Sequence, residues 1–119
     1  TEALNCLADG FGQILGADAC LLMLTAGDEA GAYGGADAAA ARENSLVKEA
    51  ISSQTAQSAV NIQADETLAS QALYAAGTQC HMVTPIFYEG EPIAVLSLQW
   101  TVASATVGDV RRLMNDISI

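Results

Sequence analysis

The sequence predicts an α+β domain built on one central antiparallel sheet, and three observations carry that prediction. Residues 79–88 and 92–101 are rich in Val, Ile, Phe and Leu and are joined by Glu89-Gly90-Glu91, the pattern of two hairpin strands. The run Ala19-Cys20-Leu21-Leu22-Met23-Leu24 is short and wholly apolar, as a central strand covered on both faces should be. Apolar stripes at helical spacing open and close the chain, so the order helix, strand, weak strand, helix, short strand, helix, hairpin, helix gives an α+β plan rather than a doubly wound one.

Leu4, Leu7, Phe11, Ile14 and Leu15, with Ala8 beside them, define a first helix over residues 2–15 that Gly16 ends. After the apolar strand, residues 30–41 hold little but Ala, Gly, Tyr33 and Asp37. They offer a weak edge strand near Ala32-Tyr33 and then a loop. Leu46, Val47, Ala50 and Ile51 mark a helix from Glu43 to Ser52 with Asn44 or Ser45 as its N-cap. Residues 58–62 read as a short extended piece. Asp65 caps a helix carrying Leu68, Ala72, Leu73 and Ala76 up to Gly77, the expected C′ glycine. Beyond the hairpin, Thr106 and Asp109 form an approximate capping box for a last helix with Val107, Val110, Leu113, Met114 and Ile117 on one face.

At 119 residues the chain is read as a single domain, and its opening at Thr1 leads us to expect a fragment of a longer protein. Aromatic residues make up only 5%, so the core must be aliphatic and rich in small side chains. The net charge of −10 opposes any nucleic-acid partner. No stretch approaches the ~20 apolar residues of a membrane span, and the start lacks the basic and apolar regions of a secretory signal. A soluble, cytoplasmic setting is expected. Cys6, Cys20 and Cys80 are odd in number and share no CxxC spacing, and His81 is the only histidine, so neither a disulfide framework nor a metal site is expected.

The segment Val83-Thr84-Pro85-Ile86-Phe87-Tyr88-Glu89-Gly90-Glu91-Pro92-Ile93-Ala94-Val95-Leu96-Ser97-Leu98 resembles the GAF-domain pattern: a strand ending in V-x-P-hydrophobic, a short glycine turn, then hydrophobic-G-V-L-x-L. Ala94 stands where the family often has glycine. Leu46 to Ser53 looks like the GAF helix before a short strand and acidic loop, here Ala59 to Asp65, and Thr106 to Ile117 resembles the helix that leads to an effector. The resemblance implies a GAF-like fold, related to profilin and PAS architectures, with the terminal helices on one face of the sheet and covering helices and loops on the other. It implies a non-enzymatic sensory or regulatory domain of a multidomain, bacterial-type signalling protein, which binds a small molecule and signals through its terminal helices to an output domain. A ligand-free structural GAF that dimerises and relays signals is the alternative.

The family's known chemistries find little footing here. In bilin-binding members the Cys-His pair lies well before the glycine that precedes this strand, near Leu68-Ala69 when aligned on Gly77; Cys80 follows Gly77, so no covalent bilin is expected. Of the cyclic-nucleotide signature only Asn61 and Asp65-Glu66 have counterparts. Haem would need His81, whose strand position does not match the usual upstream loop, and haem is not expected. A reductase resembling the free methionine sulfoxide reductases would need cysteines between Ala30 and Gln79, where none falls.

GAF pockets lie between the sheet and its coverings, so Tyr33 and Tyr74 are candidates to close over a ligand, although a core role for Tyr74 fits equally. Ser97 and Gln99 share one strand face at period two and need hydrogen-bond partners if buried; they are the polar pocket candidates, with Cys80 and Met82 on the partner strand. His81 is expected half exposed with one hydrogen bond, and Cys20 and Cys80 as inert small hydrophobes. A homodimer is expected through Leu7, Phe11, Leu113 and Ile117.

Overall fold

A computed structural model describes residues 2–26 and 29–101. Helix α1 (Glu2–Leu15) is followed by strands β1 (Ala19–Leu24) and β2 (Ala30–Tyr33), helices α2 (Ala38–Arg42) and α3 (Ser45–Ser53), strand β3 (Gln57–Ala59), helix α4 (Glu66–Ala69) and the hairpin β4 (Cys80–Tyr88) and β5 (Glu91–Trp100). The strands form one antiparallel sheet in the order β2-β1-β5-β4-β3. The expected helix over Thr106 to Ile117, and with it Leu113 and Ile117, lies outside the described residues.

Cross-strand partners share a face, so the register sorts the core into two layers. Cys20, Leu98 and Met82 stand opposite one another on one face, and Leu21, Ser97 and Val83 on the other. The first face, with Leu22, Leu96, Cys80 and Trp100, packs under Leu4, Ala8, Phe11 and Leu15 of α1. The second, with Met23 and Val95, packs under Val47, Ala50, Ile62, Leu73 and Tyr74. Burial on both faces explains why β1 reads as an unbroken apolar run. Pro85 is tolerated in β4 because β3 pairs only as far as Val83, so its missing N–H breaks no bond to that neighbour.

The hairpin turns on Glu89 and Gly90, both at positive φ, the type I′ geometry that suits the right-handed twist of paired strands. Three expectations need correction. The alanine-rich stretch is not all loop: Asp37 accepts hydrogen bonds from the Ala39 and Ala40 amides and starts α2. The helix expected from Asp65 to Gly77 is broken into α4 and a 3-10 turn at Ala72–Tyr74. Gln71 stands between them in extended conformation, because its side chain is drawn to the start of α3: its Oε1 accepts from Asn44 Nδ2 and the Ser45 amide, and its Nε2 donates to Ser45 Oγ. The extended piece expected at 58–62 is paired only over Gln57–Ala59, since Asn61 turns to a φ of 53° and Ile62 enters a 3-10 turn.

Candidate functional site

His81 lies on the β4 face away from α1 and is fully buried, not half exposed as its strand position predicts. Both ring nitrogens are engaged: Nδ1 meets Tyr74 Oη at 2.5 Å and Nε2 meets Ser97 Oγ at 2.7 Å. A neutral imidazole offers one N–H and one lone pair, and each hydroxyl can take the complementary role, so all three groups are satisfied. Burial pushes the His81 pKa down from 6.5 to about 3, which leaves it uncharged at neutral pH. Burial likewise raises Tyr74 to about 12, opposed by its hydrogen bond to Asn44.

The chain of contacts continues into the helical layer. Tyr74 Oη donates to Asn44 Oδ1 at 3.5 Å, and the same oxygen accepts from the Leu46 and Val47 amides as the N-cap of α3. A buried polar line therefore runs from β5 through β4 and the 72–74 turn to the start of α3. Every fully buried side-chain nitrogen and oxygen among the described residues has a partner, as a packed core requires.

Beside this line, where β1 begins and β5 ends, lies a cleft of ≈ 240 Å³. Its walls are the loop Gly34–Asp37 and the segment Ala72–Ala76; Thr78 and Gln99 line it with Asp18 and Thr101. Gly34 makes the wall possible: it adopts a φ of +69°, and a Cβ there would collide with the Asp18 carbonyl. Asp18 joins two strand ends, its Oδ2 accepting from the Thr101 amide at 2.7 Å and from Thr101 Oγ1 at 3.0 Å. Thr78 Oγ1 donates to Gln99 Oε1 at 2.8 Å. Gln63 Nε2 ties the turn behind the cleft by donating to the Tyr74 and Thr78 carbonyls.

The structure divides the sequence-derived candidates between the two faces. Gln99 lines the cleft; Ser97 and Tyr74 lie behind it in the buried line. Cys80 and Met82 are on the opposite face beneath α1. Tyr33, opposite Cys20, is on that face too, its ring against Gly12 of α1, where any Cβ would collide with it. Asp18, Asp37 and Thr78 are cleft residues the sequence reading does not single out; Asp18 and Thr78 are placed by partners 83 and 21 residues away. Leu7 and Phe11 lie on α1, Leu7 exposed and Phe11 half buried against the core. Among the described residues no cluster of His, Cys, Asp and Glu could hold a metal, and no helix is long and apolar enough to cross a membrane.

An antiparallel sheet with α1 on one side, and short helices over a cleft on the other, defines an α+β domain. The sequence pattern of the GAF domain matches residues 1–115, and the chain belongs to the GAF domain family. No curated protein matches it in sequence. Among solved structures, it is similar to the GAF domain region of a protein from Geobacter sulfurreducens PCA (TM-score 0.67, 15% identity, covering 98% of this chain and 91% of that one). It is also similar to a type II free methionine-R-sulfoxide reductase from Thermoplasma acidophilum (TM-score 0.65, 14% identity, 98% and 88% covered). The GAF domain of a two-component sensor histidine kinase from Bacillus halodurans is matched at TM-score 0.65 and 14% identity, with 98% and 90% covered. At these identities the likeness is one of fold. Membership of this family, with domains of sensor kinases among its structural neighbours, supports a sensory or regulatory role.

Proposed function

We propose that this domain is a cytoplasmic, non-enzymatic sensor that binds a small molecule in the cleft and passes its occupancy to an output domain through its terminal helices. One observation carries the reading: the segment Ala72–Ala76 both walls the cleft and holds Tyr74, whose hydroxyl is bonded to His81 in the sheet and to the cap of α3. A ligand that shifts this segment must either keep or break those bonds, which supplies two discrete states for differential binding to bias. The cysteines do not favour a reductase: Cys20 and Cys80 are buried on the α1 face, Cys6 is on α1, and none lines the cleft. Burial pushes the Cys20 thiol up to about 12, away from the reactive thiolate.

A second reading, a ligand-free dimer that relays signals, is favoured by the exposed apolar side chains Leu7 and Ile14 on α1. Native mass spectrometry of the purified chain separates the two. A co-purifying small molecule, with slower hydrogen exchange over residues 72–76 and α3 when it is bound, supports the sensor. A clean apo dimer whose exchange no metabolite extract alters would leave only the relay.

A further inference from the structure

We propose that the cleft selects an amine-bearing ligand, a small molecule that presents a protonated or N–H-donating nitrogen to Asp18 and Asp37 and a carbonyl-type acceptor to Gln99. This rests on the reading of the cleft as the sensory pocket and adds the chemistry of what it takes.

Gln99 is the central observation. The residue is only 7% exposed, yet Thr78 satisfies only the oxygen end of its side chain. The carboxamide nitrogen carries two N–H donors with no partner among the described residues, and since no fully buried polar atom there is left unpaired, that nitrogen opens onto the cleft. Open to the cleft and unused by the protein, these donors are available to a ligand acceptor that replaces water there. The carbonyl oxygen of an amide or ester is such an acceptor.

The two carboxylates add the second half of the specificity. Asp18 uses Oδ2 for both bonds to Thr101, and Asp37 uses Oδ1 for both amides of α2; both residues are exposed, and the other oxygen of each has no partner among the described residues. The described lining holds no Lys, Arg or His, and the chain as a whole carries a charge of −10. A carboxylate or phosphate entering the cleft would face two like charges that no basic residue of the described lining offsets, whereas an ammonium would be attracted. The remaining wall is largely alanine, Ala19, Ala36, Ala72, Ala75 and Ala76. The ≈ 240 Å³ volume falls below the ~300–1,000 Å³ of drug-sized sites, which points to a metabolite the size of an amino-acid amide.

The test is a titration of the full chain, labelled with ¹⁵N, against a panel of amino-acid amides and ω-amino amides, with the matching N-acetylated carboxylates as anionic counterparts. The expected result is a saturable shift of the Gln99 side-chain amide signals by members of the amide panel and none by the carboxylates. The double variant Asp18→Asn/Asp37→Asn keeps an acceptor at both positions, and its unfolding midpoint reports that it folds. It should bind the same probe about fivefold more weakly for each carboxylate removed. Gln99→Met should lose the preference for a carbonyl while keeping the cleft. Carboxylates that bind as well as or better than the amides would overturn the ligand class and leave the cleft as a sensory site. A silent panel alongside a co-purifying ligand would do the same, and a silent panel with no co-purifying ligand would overturn both.

Discussion

The Tyr74 hydroxyl meets His81 Nδ1 at 2.5 Å, with the two rings edge to face at 73° and their centroids 5.3 Å apart. This contact joins the only histidine of the chain to the turn that walls the cleft, and Ser97 closes the other side of the same imidazole. The ring is neutral because burial, not a charged neighbour, lowers its pKa to about 3.

That depression makes His81 a source of pH-dependent stability. The unfolded chain takes up a proton near pH 6.5 that the folded chain refuses until about pH 3, so stability is complete above pH 6.5 and falls as the pH drops through that window. The slope contributed by this one group approaches about 1.4 kcal/mol per pH unit. His81→Gln retains hydrogen-bonding capacity without a titrating ring. Urea unfolding at pH 7 and pH 5 should show the wild type losing more stability than the variant; equal losses would mean that the imidazole is solvated in solution.

Tyr74 and Ser97 bond opposite nitrogens of one ring, so the role each plays is set by the tautomer the other selects. Tyr74→Phe leaves a buried nitrogen without its partner, at a cost of about 1–3 kcal/mol. Combined with Ser97→Ala, the two changes should be non-additive by at least about 0.5 kcal/mol, the range of groups in one network. Strict additivity in a double-mutant cycle would show that the ring does not couple the turn to β5.

The cleft wall depends on one glycine. Gly34→Ala places a Cβ against the Asp18 carbonyl at a φ of +69°, and the loss should exceed the ~1–2 kcal/mol of a left-handed alanine. Gly35→Ala is the control. Its φ of +78° carries the same backbone cost, but nothing lies within 4 Å of the added methyl. Equal unfolding midpoints for the two variants would show that the loop does not close on β1 as described.

How far the sequence could be read follows from how local each cause is. The hairpin and β1 are legible because their pattern lies within the strands, and α3 because its cap, Asn44, adjoins its stripe. Spacing alone carries α4 on to Gly77, because Ala72, Leu73 and Ala76 continue its pattern. What stops it is Gln71, whose partners Asn44 and Ser45 lie 27 and 26 residues away. His81 escapes a local reading for the same reason: its hydrogen-bond partners in the core, Tyr74 and Ser97, are 7 and 16 residues distant. The cleft is least legible, since Asp18 is tied to Thr101 across 83 residues.

Thiol reactivity reports on the two-layer arrangement directly. Cys6 is exposed on α1, whereas Cys20 and Cys80 are buried beneath it. Ellman's reagent should modify one thiol per native chain quickly, and the other two only on unfolding. A fast reaction at Cys20 or Cys80 would mean that α1 does not stay docked on its face of the sheet.

The outward side of α1 tests the proposed dimer. Leu7 is 51% and Ile14 80% exposed, and with Cys6, Gly10 and Phe11 they line a shallow groove with almost no polar surface. Leu7 and Ile14 lie seven residues apart, two helical turns on one face, while Phe11 between them turns partly into the core. Leu7→Glu/Ile14→Glu should therefore convert a dimer to a monomer in sedimentation velocity while the intrinsic fold changes by no more than about 0.5 kcal/mol per site, as for surface substitutions. Phe11→Glu, in contrast, should unfold the domain, because its ring packs on the cluster around Ala8 and Leu98. A dimer that survives the double substitution would place the subunit contact elsewhere than on this face.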